Sequence, residues 1–430
     1  MRYNKFERSI ARILDKYPTT RKHLKYIYQR ANCIISRLHY RPTLYLDPRV
    51  QIKSVLNNDS LCSEFFFGYY DKCPWSFDCK YYLVNLWSKN EKGNIKLGII
   101  DVANQNMQVV DSSHTFNFQQ GAMFQWLNRY DYRVIFNTLR GGNLVSIIKD
   151  PFNGKEIKTI PLPIQSINRN GTEALTLNYR RLFNLRPEYG YSVQAGNFSS
   201  NMAYEKDGIW KINIETGEYL LMITIADLIA INHRKEMDRA HHKINHIMYS
   251  PSGRKFIFMH RWICSHGKFS RLFMADNEGG NLKILLDDKM VSHYSWIDDN
   301  SVLAYARREP LGDKYYLINT DSLEYEIVGD GVLDIYGDGH PSYSPDKRWM
   351  ITDTYPDKAR MRYLILYDTI ANRAKIIGRF FSPWKYDGYY RCDLHPRWSP
   401  DGKNISIDST HEGFRGSYIV DLSDLIGGLH

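Results

Sequence analysis

Four histidines recur in one phase of a repeated unit, and this phase relation constrains the fold more than any other feature of the chain. His246, His293, His340 and His395 each stand three residues before an aromatic residue, in His-Ile-Met-Tyr249, His-Tyr-Ser-Trp296, His-Pro-Ser-Tyr343 and His-Pro-Arg-Trp398. A turn sequence follows each time: Ser250-Pro-Ser-Gly253, Ile297-Asp-Asp-Asn300, Ser344-Pro-Asp-Lys347 and Ser399-Pro-Asp-Gly402. An apolar run comes next, FIFMH, VLAYA, WMITD or ISIDS, and successive histidines are 47, 47 and 55 residues apart. Repeats of roughly 40–50 residues built from short strands indicate a β-propeller. The expected class is therefore all-β: a seven-bladed β-propeller with a short N-terminal α-helical extension.

Each blade begins with its innermost strand, so one phase of the repeat maps to one height around one axis. Four histidines in phase then converge at one mouth of the channel, and imidazole is the commonest metal ligand among side chains. The expectation is a divalent metal on His246, His293, His340 and His395, with Mn²⁺ first and Zn²⁺ second, since imidazole alone does not choose between them. A lone histidine before Pro or Tyr ordinarily caps a turn, and only the four together favour a site.

A chain of 430 residues with 43% hydrophobic content can bury a large core, and 14% aromatic content suits strands. Blades are expected over about 62–111, 113–161 and 162–224, the last irregular, and then from near each histidine. Six or eight blades remain open because of the third. The run IVDL at 419–422 is a candidate strand for closing the ring. Six scattered cysteines form no CxxC pair, which suits reduced thiols in a cytoplasmic protein; a Cys73–Cys79 bridge is the one pairing worth weighing. No secretory signal and no run of eighteen apolar residues is present.

The net charge of +10 is concentrated. Residues 1–41 hold eleven Lys/Arg against Glu7 and Asp15, nine of the net ten charges. Residues 1–45 read as a basic helical extension, 46–61 as a linker and 62–430 as the propeller. One helix is expected over 4–17, with Phe6, Ile10, Ile13, Leu14 and Tyr17 on a face. A second follows Pro18, with a stripe of Leu24, Ile27, Tyr28, Ala31, Ile34, Ile35 and Leu38. These stripes either pack on the propeller or attach the protein to an anionic membrane or glycan. The basic stretch carries no nucleic-acid reading motif, and the rest of the chain is near neutral, so nucleic acid is not an expected partner.

The strand after each histidine returns to the same mouth, so His260, Arg261, Arg307 or Arg308, Tyr355 and His411 are expected to crowd the cluster. Asp338 and Asp393, each two residues before a cluster histidine, either orient an imidazole or bind the metal themselves. His114, Gln119 and Gln120 stand at the entrance of the second blade. The insertion NYRRLFNLRPEYGYS places Arg180, Arg181, Arg186, Tyr189 and Tyr191 where they either wall a pocket or stack at the surface.

The stretches DGHPSYSPDKRWMITDTYPD and RCDLHPRWSPDGKNISIDSTHEG carry a resemblance. Ser-Pro-Asp-Gly hairpins after His-Pro look like TolB-type propeller repeats, and the arrangement over about 60–424 resembles oligogalacturonate lyases and, more distantly, propeller ulvan lyases. The resemblance implies a seven-bladed fold and a divalent metal, usually manganese, on histidines and a glutamine at one channel mouth. Near His340 this sequence has Tyr336 and Asp338 and no clear glutamine. It implies β-elimination on uronate-containing oligosaccharides, with an acidic oligosaccharide or polysaccharide as partner. In that scheme the metal or Arg181 neutralises the carboxylate, Arg186, Tyr189 or His260 is the base and His411 the acid, with Arg261, Arg307 and Tyr355 binding substrate. The alternative is a non-catalytic glycan-binding or scaffold propeller serving polysaccharide biosynthesis.

Overall fold

The computed structural model of the protein describes residues 18–56, 64–91, 93–192 and 203–427. Its strands form seven antiparallel sheets arranged as the blades of a β-propeller. Blades one to three span 64–113, 125–160 and 166–224, and blades four to seven begin at His241, Val291, Ser342 and Arg397. Seven is thus the blade number. The irregular third blade owes its length to the insertion between strands Glu173–Leu177 and Gly208–Asn213, which holds the helix Tyr179–Leu185.

Three tryptophans that end inner strands have a shared physical task. Trp126, Trp296 and Trp398 donate their indole N–H to the carbonyls of Pro74, Met248 and Ser342, each on the inner segment of the preceding blade, at 3.0, 3.2 and 3.1 Å. One aromatic ring thereby packs the space between blades and satisfies a buried carbonyl. The turn that follows is closed by its serine: Ser399 Oγ accepts the Asn404 N–H at 3.0 Å and donates to Asp401, while Gly402 turns the chain at φ 71°. Lys347 holds the same left-handed position in blade six, at φ 64°.

The ring is closed by the N-terminal part of the chain. Gln51–Ser54 pairs with Gly416–Asp421 as the outermost strand of blade seven, and Leu44–Leu46 adds a fifth strand to blade six. The region expected as a linker over 46–61 therefore includes propeller strand. The IVDL run lies in the third strand of blade seven, not in the closing one. Exposed, alternating segments of three and four residues carry too little pattern to be recognised as strands until a sheet edge is there to receive them.

The helix Pro18–His39 lies against blade six, and the helix expected over 4–17 falls outside the described residues. Cys33, Cys73, Cys79, Cys264 and Cys392 are free thiols, so Cys73 and Cys79 are not bridged. Among the described residues no helix is long and apolar enough to cross a membrane.

Candidate metal centre at the channel mouth

The inner segment of blade one leaves its ladder where the site begins. Glu64–Phe66 pairs with Asn85–Trp87 and Trp75 with Tyr82, and between them the chain bulges. Asp408 holds the bulge by accepting the backbone N–H groups of Phe67 and Gly68 at 3.1 and 3.0 Å, and Arg397 grips the Gly68 carbonyl at 2.6 Å. Gly68 has φ 129°, and a Cβ there would meet the Gln120 backbone at 3.0 Å, so the close approach requires glycine. The two following rings, Tyr69 and Tyr70, are buried among the histidines. The Tyr70 ring centre lies 5.5, 6.0, 5.2 and 6.3 Å from those of His246, His293, His340 and His395. The four in-phase imidazoles are thus gathered in one place, as the repeat predicts.

A carboxylate or carbonyl stands behind each ring. His340 Nδ1 donates to Asp353 at 2.7 Å, and the same carboxylate accepts the backbone N–H groups of His340 and His395 at 2.9 and 3.1 Å. His395 Nδ1 donates to the Gly68 carbonyl at 2.9 Å, and His293 Nδ1 lies 2.9 Å from Asp338. His246 Nε2 is 3.4 Å from Asp71, within ion-pair range but without hydrogen-bond geometry. With Nδ1 protonated on His340 and His395, each Nε2 keeps a free lone pair, and both atoms are buried without a hydrogen-bond partner.

His340, His395 and Asp393 are the group, among the described residues, whose donor atoms all lie within 4.8 Å of one another. Two imidazoles and a carboxylate suit Mn²⁺ or Zn²⁺, so the residues present fit a divalent ion. The tightest donor set thus holds two of the four histidines together with Asp393, and His293, whose Nδ1 faces Asp338, and His246, near Asp71, lie outside it. Burial would raise the Asp393 carboxyl, but Arg391 and Arg362, each 2.6 Å away, hold it well below the usual carboxylate range. Burial pushes His246 and His293 down, and His395 well down, so all three stand neutral.

A small cavity of about 20 Å³ adjoins the cluster and is lined in part by Tyr69, Arg186, Tyr189, Arg261, His293 and Tyr355. That is room for a water or an ion. Arg186 lies over the Tyr189 ring at 4.5 Å, and Arg391 donates to the Tyr189 hydroxyl at 3.3 Å. Tyr355 lies 6.4 Å from both His293 and His340, and burial pushes its phenol far up. Arg186, Tyr189, Arg261 and Tyr355 thus sit where the sequence placed them.

Five other candidates do not. Arg181 forms a buried ion pair with Asp207 at 2.5 Å and is not among the residues lining the cavity. His260 is fully buried in blade four, where its Nδ1 accepts from Arg271 at 3.2 Å and its Nε2 donates to His242 at 2.9 Å. Arg307 pairs with Asp313 on an exposed hairpin, and Arg308 covers the Tyr325 ring at 3.7 Å. His411 packs between Phe380 and Tyr418, with ring centres 5.4 and 4.7 Å away. His260 and Arg307 lie on the second strands Lys255–Cys264 and Ser301–Arg308, where alternate side chains leave perpendicular to the sheet toward neighbouring blades, whereas Arg181 lies on the helix Tyr179–Leu185 and His411 in the turn after Asn404–Ser409.

Around the entrance of blade two, His114 meets the Gly93 carbonyl at the surface, whereas Gln119 holds Arg391 in place through two hydrogen bonds of 2.8 and 3.0 Å. Gln120 is buried with both side-chain polar atoms unpartnered. Sequence reasoning missed Tyr69, Tyr70, Asp353, Arg362 and Arg391. One signal was available: Asp353 and Asp408 each stand thirteen residues after a cluster histidine.

No family model matches the chain, and no curated protein matches it in sequence. Solved structures do match. An oligogalacturonate lyase in complex with manganese superposes with a TM-score of 0.62 at 14% identity, over 88% of this chain and 95% of that one. The oligogalacturonate lyase of Vibrio parahaemolyticus gives 0.59 at 14% identity, over 88% and 98%. The chain has the fold of an oligogalacturonate lyase. A TolB from Acinetobacter baumannii aligns at 0.38 with 13% identity, over 67% of this chain and 60% of that one. The two lyase chains are covered nearly whole, so the common fold is the entire ring, and the helix Pro18–His39 precedes its first strand.

Proposed function

We propose that the protein is a metal-dependent lyase of the oligogalacturonate lyase type, cleaving uronate-containing oligosaccharides by β-elimination. The observation that carries this reading is the pair of buried, unpartnered Nε2 atoms of His340 and His395 facing Asp393. Support comes from the lyase fold and from the manganese described for one of the matching structures. A bound Mn²⁺ or Zn²⁺ would polarise the substrate carboxylate and acidify the proton on the adjacent carbon.

The chain's own residues divide the remaining work. Arg186 and Arg261 line the cavity and bind the uronate carboxylate, since guanidinium matches it bidentately. Tyr189, with Arg186 over its ring and Arg391 donating to its hydroxyl, is the residue placed to take the proton. Tyr355, kept protonated by burial, donates to the leaving oxygen. Arg181, Arg307, His260 and His411 have no part in this scheme.

The second reading, a glycan-binding or scaffold propeller without turnover, is favoured by the cavity, whose 20 Å³ does not admit a sugar ring unless Arg186 and Tyr189 move. The deciding experiment incubates the Mn²⁺-loaded protein with a panel of uronate oligosaccharides and follows the ultraviolet absorbance of the conjugated product. Turnover that disappears in His340→Ala and in Tyr189→Phe, with Ile370→Ser unaffected, supports the lyase. Saturable binding without product across the panel supports the scaffold and removes the lyase.

A further inference from the structure

The N-terminal helix Pro18–His39 meets the propeller with its polar side. Arg30 lies over the Trp384 ring at 5.4 Å, Arg37 over Phe381 at 4.2 Å, and Tyr26 packs edge-on against Trp384 at 6.0 Å. Arg37 also donates to the carbonyls of Arg41 and Pro42, and Cys33 is buried beneath the helix. The aliphatic side is turned the other way. Leu24, Ile27, Ile34 and Leu38 are 45%, 63%, 64% and 66% exposed, and Ile35 is 58% exposed. With Ala31 they fall within an arc of about 100° that runs for roughly 21 Å along the helix. A contiguous exposed aliphatic stripe of this kind marks an interaction surface.

We propose that this stripe is a membrane-docking surface, through which the helix lies in the headgroup boundary of an anionic bilayer with the propeller held beneath it. The partner is selected by charge. The helix has five Lys/Arg and no Asp or Glu, and residues 1–41 carry nine of the net ten positive charges. A second copy of the chain would match the stripe but leave the basic residues of both helices with no carboxylate on either helix to pair. A nucleic acid or an acidic polysaccharide answers the charge but offers nothing apolar to the stripe. An anionic lipid surface answers both, and a helix of this length and polarity lies in an interface without spanning it. The inference does not depend on what the channel mouth catalyses.

The test uses the full chain and vesicles of one part phosphatidylglycerol to two parts phosphatidylcholine. The protein should sediment with these vesicles at low salt, and stay in solution with phosphatidylcholine alone or at high salt. Replacing the stripe by Leu24→Ser, Ile27→Ser, Ile34→Ser and Leu38→Ser together should lower the partition coefficient at least about tenfold, as expected from withdrawing four aliphatic side chains. Ile370→Ser, at a still more exposed aliphatic position on the blade, should not change it. All four positions are exposed, so the melting midpoint should stay near that of the parent, which separates lost docking from lost folding. Equal sedimentation of parent and quadruple variant overturns the proposal. So does a dimer in light scattering that the quadruple variant converts to monomer, which would assign the stripe to a second copy.

Discussion

Asp353 shows how much one buried carboxylate sets at this site. It accepts the ring N–H of His340 and the backbone N–H groups of two cluster histidines, and it is 1% exposed. Asp353→Asn keeps the shape but exchanges an acceptor oxygen for a donor, opposing N–H groups that already donate. The expected cost is about 3 kcal/mol of stability, with a loss of metal affinity of roughly 10–100-fold. Both are read by titrating Mn²⁺ into parent and variant and comparing calorimetric affinities and melting midpoints. Unchanged affinity would mean that the imidazoles are aimed by something else.

The buried histidines away from the channel make a separate prediction. Burial brings His242 and His411 down to about 4, and His260 well below its ordinary value. A histidine depressed on folding takes up protons more readily when unfolded. Stability is therefore full above about pH 6.5 and falls as the pH drops toward 4. His411→Phe, in a pocket already formed by Phe380 and Tyr418, should remove about 1–2 kcal/mol of the loss between pH 7 and 5. Denaturant melts at the two pH values test this, and an unchanged pH slope would show that His411 is not a contributor.

Within the turns, the repeat explains its own exceptions. The position held by Gly253 and Gly402 at φ 77° and 71° is held by Lys347 at φ 64° in blade six. An L-residue in this region costs about 1 kcal/mol, and the Lys347–Asp298 ion pair of 3.5 Å between exposed groups offsets little of it. Lys347→Gly is expected to stabilise the protein by about 0.5–1 kcal/mol. A lower denaturation midpoint in the variant would mean that the lysine side chain contributes more than its exposure suggests.

At the level of the whole ring, closure joins the two ends of the described chain. Ile52 and Val50 pack with Val420, Leu422 and Trp398, so the strand Gln51–Ser54 supplies core as well as hydrogen bonds. Deleting residues 1–41 should leave the propeller folded, with a melting midpoint close to the parent's. Deleting residues 1–56 exposes the edge of Gly416–Asp421 and should give aggregation or a broad, uncooperative melt. A sharp melt at the parent temperature after the longer deletion would show that the remaining strands close the ring without it.

The sequence by itself determined the propeller, because four aromatic-turn-strand units in register can bury their faces only by repeating around an axis. It also determined that His246, His293, His340 and His395 would meet, since equal phase is equal height. Tertiary structure alone decided which ring nitrogens stay free. That depends on acceptors from distant positions, such as the Gly68 carbonyl for His395 and the Asp353 carboxylate shared by two blades. It decided too that Tyr69 and Tyr70 fill the space between the imidazoles, because a bulge held by Asp408 across 340 residues leaves no local pattern. The helix Pro18–His39 shows the same division. Periodicity located its aliphatic stripe, but only the rings of Trp384 and Phe381 drew its arginines inward and left that stripe facing out.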